Sequence, residues 1–211
     1  MATLSTLRGA LRVDLRDEEA ANYRWSDGEL DRHIGRAVRE LSVVLPREQK
    51  TTLLTTAASR EISISTLEDL LRIAAVEWPV GLWPPAYVPF SVWQTTLTLL
   101  VDSAPAGVEN VSVFWERVHQ VDETTSTLPV QHEDVVLIGA AGYAATEWAS
   151  FATNRVNVSG PDVDRDYAIW GRSRLAEFSR QLRRLSSRLR SGRLYVPSAS
   201  EPSQETVQWE P

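Results

Sequence analysis

The sequence predicts a mainly α protein with a β insert (α+β). Its core is a four-helix bundle, a small antiparallel β module lies between the second and third long helices, and an extended C-terminal arm ends the chain. Two periodicities and one compositional bias predict this. Apolar residues recur every three or four positions towards both ends of the chain and alternate every second position in its middle. The stretch after Arg193 is rich in Pro, Ser and Glu. The helical bundle takes residues 1–50 and 128–193, the inserted β module 51–127, and the arm 194–211.

Leu4, Leu7, Leu11 and Leu15 share one helical face and predict a first helix over Leu4 to Arg16. A polar link, Asp17 to Asn22, follows. Ser26-Asp27-Gly28-Glu29 is a capping box, in which the serine hydroxyl and the glutamate carboxylate each satisfy an orphan backbone amide. Leu30, Ile34, Val38, Leu41 and Leu45 then form one stripe, and Pro46 ends the helix.

Residues 51–121 are rich in Thr, Val, Ile, Trp and Pro. Glu61 to Ser65 alternates, and Leu71 to Val76, Thr95 to Val101 and Val111 to Val118 read as strands. Pro79, Pro84, Pro85 and Pro89 confine the stretch between them to loops or a sheet edge. Asp102 to Gly107 is a turn.

Helices resume near Val130. Gly139 and Gly142, set among alanines in the run Val135 to Phe151, point to a close backbone contact, because each glycine costs about 1 kcal/mol in a helix against alanine. After Gly160-Pro161, Asp162 or Asp164 can cap a long amphipathic helix reaching about Arg190. Tyr167, Leu175, Phe178, Leu182, Leu185 and Leu189 form its apolar arc, with Arg165, Arg172, Arg180, Arg183, Arg184 and Arg190 opposite and Arg174 as the exception.

With 211 residues, 43% hydrophobic and 24% charged, the chain is long enough for a folded core. It has no cysteine, which excludes disulfides, thiolate zinc sites and a cysteine nucleophile. Met1 to Arg16 lacks the apolar core of a signal peptide, and Val135 to Ala149 is too short to span a bilayer. Synthesis in the cytoplasm and no membrane contact are expected.

Charge is segregated along the chain. Residues 165–193 hold nine arginines and two acids, whereas residues 1–164 hold thirteen basic and twenty-three acidic residues. The last eighteen residues carry three glutamates and no basic residue. Such asymmetry marks a partner surface, either nucleic acid or an acidic face of another subunit. A dedicated DNA binder is normally basic overall. Here the pI is about 5.2, so pairing of Arg172, Arg180, Arg183, Arg184 and Arg190 with carboxylates of a neighbouring copy is favoured.

No catalytic chemistry assembles in the sequence, and neither a cofactor nor a metal is expected. His132-Glu133 opens like a zinc-protease motif, but Val136 stands where the second histidine belongs. Asp162, Asp164 and Asp166 mimic the start of a calcium loop, yet Tyr167 and Ser173 replace its glycine and its bidentate glutamate. His33, His119 and His132 lie far apart in the chain, and Gly139 and Gly142 lack the third glycine of a dinucleotide site.

Tyr23-Arg24-Trp25-Ser26-Asp27-Gly28-Glu29-Leu30, followed by Ala37 and Leu41, resembles the box that opens the second helix of phage head-to-tail connector (adaptor) proteins. Leu128-Pro129, His132-Glu133 and Val136 to Ala144 resemble the third helix of that family. The resemblance covers about residues 3–50 and 128–190, and the β module departs from the compact, purely helical members.

It implies a structural virion protein of the neck, without enzymatic activity. Such proteins form a ring, usually of twelve copies, docked beneath the portal protein and joined to a tail or neck protein. DNA passes through the channel without sequence-specific binding. The C-terminal segment of such proteins often reaches the portal, which makes Leu194, Tyr195, Val196, Val207 and Trp209 the expected portal contacts. The rival readings are another neck, head-closure or tail-end protein, and a DNA-binding packaging accessory.

Overall fold

A computed structural model of the chain describes residues 2–152 and 163–186. Helix α1 (Leu4–Leu15) is capped by Thr3, whose hydroxyl accepts from the Thr6 amide, and it ends on left-handed Arg16. Helix α2 (Asp27–Val44) begins with the expected capping box. Ser26 Oγ accepts from the Glu29 amide at 3.3 Å, and the Ser26 amide donates to Glu29 Oε2 at 2.7 Å. The Ser26 amide and hydroxyl, both donating to Glu29 Oε2, hold the Glu29 carboxyl below its usual range.

Helices α3 (Glu133–Ala152) and α4 (Val163–Ser186) complete the helical part. One core joins all four helices. Leu7, Leu11 and Leu15 of α1 meet Leu30, Ile34, Ala37, Val38 and Leu41 of α2, Val136, Ala140, Ala141 and Ala144 of α3, and Phe178 of α4. Helix α3 packs against each of the other three. Its small residues allow this, because a helix touched on several sides leaves little room for long side chains.

The middle of the chain forms two three-stranded antiparallel sheets. Strands β1 (Arg47–Leu54), β3 (Leu70–Glu77) and β6 (Asn110–Arg117) are ordered β1-β6-β3. Strands β2 (Glu61–Ser63), β4 (Phe90–Trp93) and β5 (Thr96–Leu99) are ordered β2-β5-β4. A second core of Ile62, Ile64, Leu67, Val76, Leu97, Leu99, Val111, Val113 and Trp115 holds them together. The Trp115 indole donates to Thr51 Oγ1 at 2.9 Å, which satisfies its polar edge.

Two strands differ from expectation. Strand β1 was not anticipated, because its inward set of Arg47, Gln49, Thr51 and Leu53 is mostly polar and only half-buried. The stretch rich in prolines does form a loop, and β4 follows it as an edge strand of its sheet.

The chain crosses twice between helices and sheets, and both crossings meet at His119. Its amide donates to Ser42 Oγ of α2 at 3.0 Å, and Ser42 Oγ donates in turn to Val38 O at 2.7 Å. Its ring nitrogens lie 3.1 Å from Leu45 O and 2.9 Å from Thr127 O, one on each crossing.

Candidate assembly interface

The arginine face of α4 is the first candidate surface. The helix turns its apolar arc inward, with Phe178 buried and Tyr167, Leu175, Leu182 and Leu185 half-buried, while Leu189 lies outside the described residues. Arg172, Arg180, Arg183 and Arg184 are consequently exposed. Arg180 Nη1 pairs with Glu177 Oε2 one turn away at 2.8 Å. Arg174 sits apart, its guanidinium 5.0 Å from the Trp170 ring centroid. Arg190 lies outside the described residues, as do Leu194, Tyr195, Val196, Val207 and Trp209 of the arm.

Around α1 and the start of α2, several basic and acidic groups pair with one another. Arg8 Nε and Nη2 form a fork on the two carboxylate oxygens of Asp31, each at 2.8 Å, and Arg8 also bonds Glu123. These carboxylates keep Arg8 firmly protonated. Arg12 is buried between Asp17 and Asp27, and its hydrogen bond holds the Asp27 carboxyl below the usual range. Asp14, Glu18 and Glu19 at the end of α1 remain exposed. They offer the acidic counterpart that an arginine face on a neighbouring copy would require.

Each histidine serves a different neighbourhood. His33 is buried on α2, with Nε2 3.3 Å from Glu147 Oε2 but outside hydrogen-bond geometry. His119 holds the two crossings, and His132 lies in a short turn before α3. Among the described residues no group of three or more His, Asp or Glu is placed to hold a metal ion. Asp162 lies outside the described residues, while Asp164 and Asp166 belong to the first turn of α4.

Burial pushes the His33 and His119 imidazoles below their ordinary range. The unfolded chain, titrating near about 6.5, therefore binds protons that the folded chain resists. Their contribution to stability is complete above that pH and is lost as pH falls through the folded values. Thermal unfolding should shift to lower temperature from pH 7 to pH 5, and His33→Gln should flatten that slope. An unchanged slope in the variant would show that His33 is not the group responsible.

A surface that the sequence did not single out lies on the β module. Trp83 is 92% exposed and Trp93 80% exposed, each far more open than a tryptophan in a core. Both fall within residues 78–101, a run of twenty-four positions without Asp, Glu, Lys or Arg. That run was the available signal. The chain has eight tryptophans, and their number alone does not show which of them are exposed.

No family model matches the chain, and no curated protein matches it. Solved structures give loose matches. A chain described as the neck of an empty GTA particle computed with C6 symmetry is 12% identical, with 80% of this chain and 88% of that one covered at a TM-score of 0.31. One from the virion of a native gene transfer agent (GTA) particle is 14% identical, with 82% and 91% covered at 0.29. Another, from the neck of a native GTA particle computed with C12 symmetry, is 14% identical, with 81% and 91% covered at 0.29. Scores this low assign neither a fold nor a function to this chain.

Proposed function

We propose that the chain is a structural protein of a phage-type virion neck, a head-to-tail adaptor that forms a ring beneath the portal protein and passes DNA through its centre. One observation carries the reading. The two stretches that resemble the connector family, Tyr23 to Leu30 and Leu128 to Ala144, open and build helices α2 and α3 of a single four-helix core. The β module is inserted between them without breaking that core.

The exposed arginines of α4 and the exposed acids Asp14, Glu18 and Glu19 give one copy two surfaces of opposite charge. Heterologous contacts of this kind generate a closed ring when the rotation closes. Exposed pairs contribute only about 0–1 kcal/mol each, so a network of them is required. The acidic majority of residues 1–164 should supply more of the channel wall than the arginines, because an attractive wall would hinder sliding DNA.

In this reading the arm, with apolar patches at Leu194-Tyr195-Val196 and Val207-Gln208-Trp209, docks on the portal as an added strand. The test is truncation after Arg193. The shortened chain should form the same four-helix core, with an unchanged circular dichroism melt, and fail to join portal-containing heads. Normal attachment would rule out the arm as the anchor. Duplex DNA binding by the isolated chain that weakens steeply with salt would instead favour the packaging-accessory reading.

A further inference from the structure

We propose that the β modules of successive copies in the ring interlock, Trp93 of one copy seating in a hollow formed by Pro79, Val80, Val108, Glu109 and Asn110 of the next. This inference rests on the ring reading above. The hollow has a volume of about 370 Å³, within the range that receives a small-molecule-sized group.

The two features are chemically matched. Trp93 lies beside the tight turn at Gln94 and Thr95 that joins β4 to β5, at a sheet edge with no charged residue to guard it. A buried indole needs apolar walls and one acceptor for its N–H. Pro79, Val80 and Val108 supply the walls, and Glu109 and Asn110 supply acceptors. Glu109 already accepts the Trp78 indole N–H at 3.0 Å, so its carboxylate is held in place. Val108 is 71% exposed, so the described residues leave that wall of the hollow open.

Trp93 sits at the turn between β4 and β5, whereas the hollow lies where the chain enters β6, so the two are different patches of the module. A heterologous ring contact needs two different patches of this kind. The absence of charge from residues 78–101 disfavours nucleic acid as the occupant, since phosphate is bound by cations. Trp83 belongs to the same β3–β4 loop as Pro79 and Val80.

The cysteine-free chain gives a direct test. Thr95→Cys and Val108→Cys, two exposed positions that leave Trp93 in place, are made singly in the full chain, one of them with a mass tag, and mixed under mild oxidation. The mixed 95–108 disulfide should exceed its statistical proportion over the two homodimers. Trp93→Ala should raise the concentration needed for assembly, read by sedimentation, roughly tenfold or more, with an unchanged melt. Only homodimers, or a Trp93→Ala chain that assembles like the parent, would overturn the interlock and leave the ring intact. Co-flotation of the parent with phosphatidylcholine vesicles that Trp93→Ala abolishes would assign the surface to lipid and overturn it too. A parent chain that neither assembles nor cross-links would sink the ring reading as well.

Discussion

Replacing Arg12 by alanine should destabilise the chain by about 3–5 kcal/mol, the cost of removing one partner from a buried ion pair. Arg12 and Asp17 have side chains only 8% and 3% exposed. The guanidinium donates to Asp17 Oδ2 and Asp27 Oδ1 at 2.6 Å each and to Trp25 O at 3.0 Å. It also stacks on Tyr23, 3.6 Å from the ring centroid. Asp17 in turn accepts the Arg24 amide at 2.7 Å and the Trp25 amide at 3.4 Å.

One buried pair thus folds the loop between α1 and α2 and places Trp25 in the core. Without Arg12, the Asp17 charge and the Trp25 carbonyl lose a donor that water cannot easily replace. Lysine should rescue little, because a single ammonium cannot reproduce the fork. Asp27, at 59% exposure, is the control, and Asp27→Asn should cost at most about 1 kcal/mol. Urea denaturation of the three variants measures this. An Arg12→Ala midpoint equal to that of Asp27→Asn would refute the network.

The sequence made the helical part legible because its signals are local. A capping box and a stripe of Leu30, Ile34, Val38 and Leu41 need only the residues of α2 to be recognised, and all four of those apolar residues are buried. The same logic found the apolar arc of α4 and the crowded glycines of α3. Arg12 was not legible in this way. On a helical wheel it is one more polar residue of α1, and its burial depends on Asp17, Trp25 and Asp27, five to fifteen residues away, closing over it.

Strand β1 escaped for a related reason. Its alternating residues are mostly polar on both faces, and its place is fixed by antiparallel pairing with β6, more than fifty residues later. Of the candidate surfaces, the arginine face could be read because amphipathicity is periodic. Trp83 and Trp93 could not be separated from buried Trp25 and Trp115, since only tertiary packing decides which are covered. The long run without charge distinguishes the exposed pair only after the fold is known.

The crossing of α3 and α4 should tolerate no side chain at Gly142 or Gly171. A Cβ added at Gly142 would lie 2.8 Å from Leu175 Cγ and 3.1 Å from the Leu175 backbone nitrogen. One added at Gly171 would meet Thr146 Oγ1 at 2.7 Å, Thr146 N at 3.0 Å and Gly142 O at 3.1 Å. Backbone atoms cannot step aside as a flexible side chain can, so the helices themselves would have to separate. Gly142→Leu should therefore cost about 1–3 kcal/mol or more. The roughly 1 kcal/mol that a better helix former gains works against this cost without cancelling it.

Two other glycines set the scale. Gly139 faces the Phe178 ring at 3.0 Å, so Gly139→Ala asks a side chain to shift and should cost less than Gly142→Ala. Gly9, in α1, has nothing within 4 Å, so Gly9→Ala should stabilise by up to about 1 kcal/mol. Because Gly142 and Gly171 meet at one crossing, a double alanine variant should lose less than the sum of its singles, the first having already forced the helices apart. Denaturation midpoints of the series decide the matter. If Gly142→Leu melts with the parent while Gly9→Ala behaves as expected, α3 and α4 do not approach at these glycines. Strict additivity of the pair would mean that the two glycines do not share one crossing.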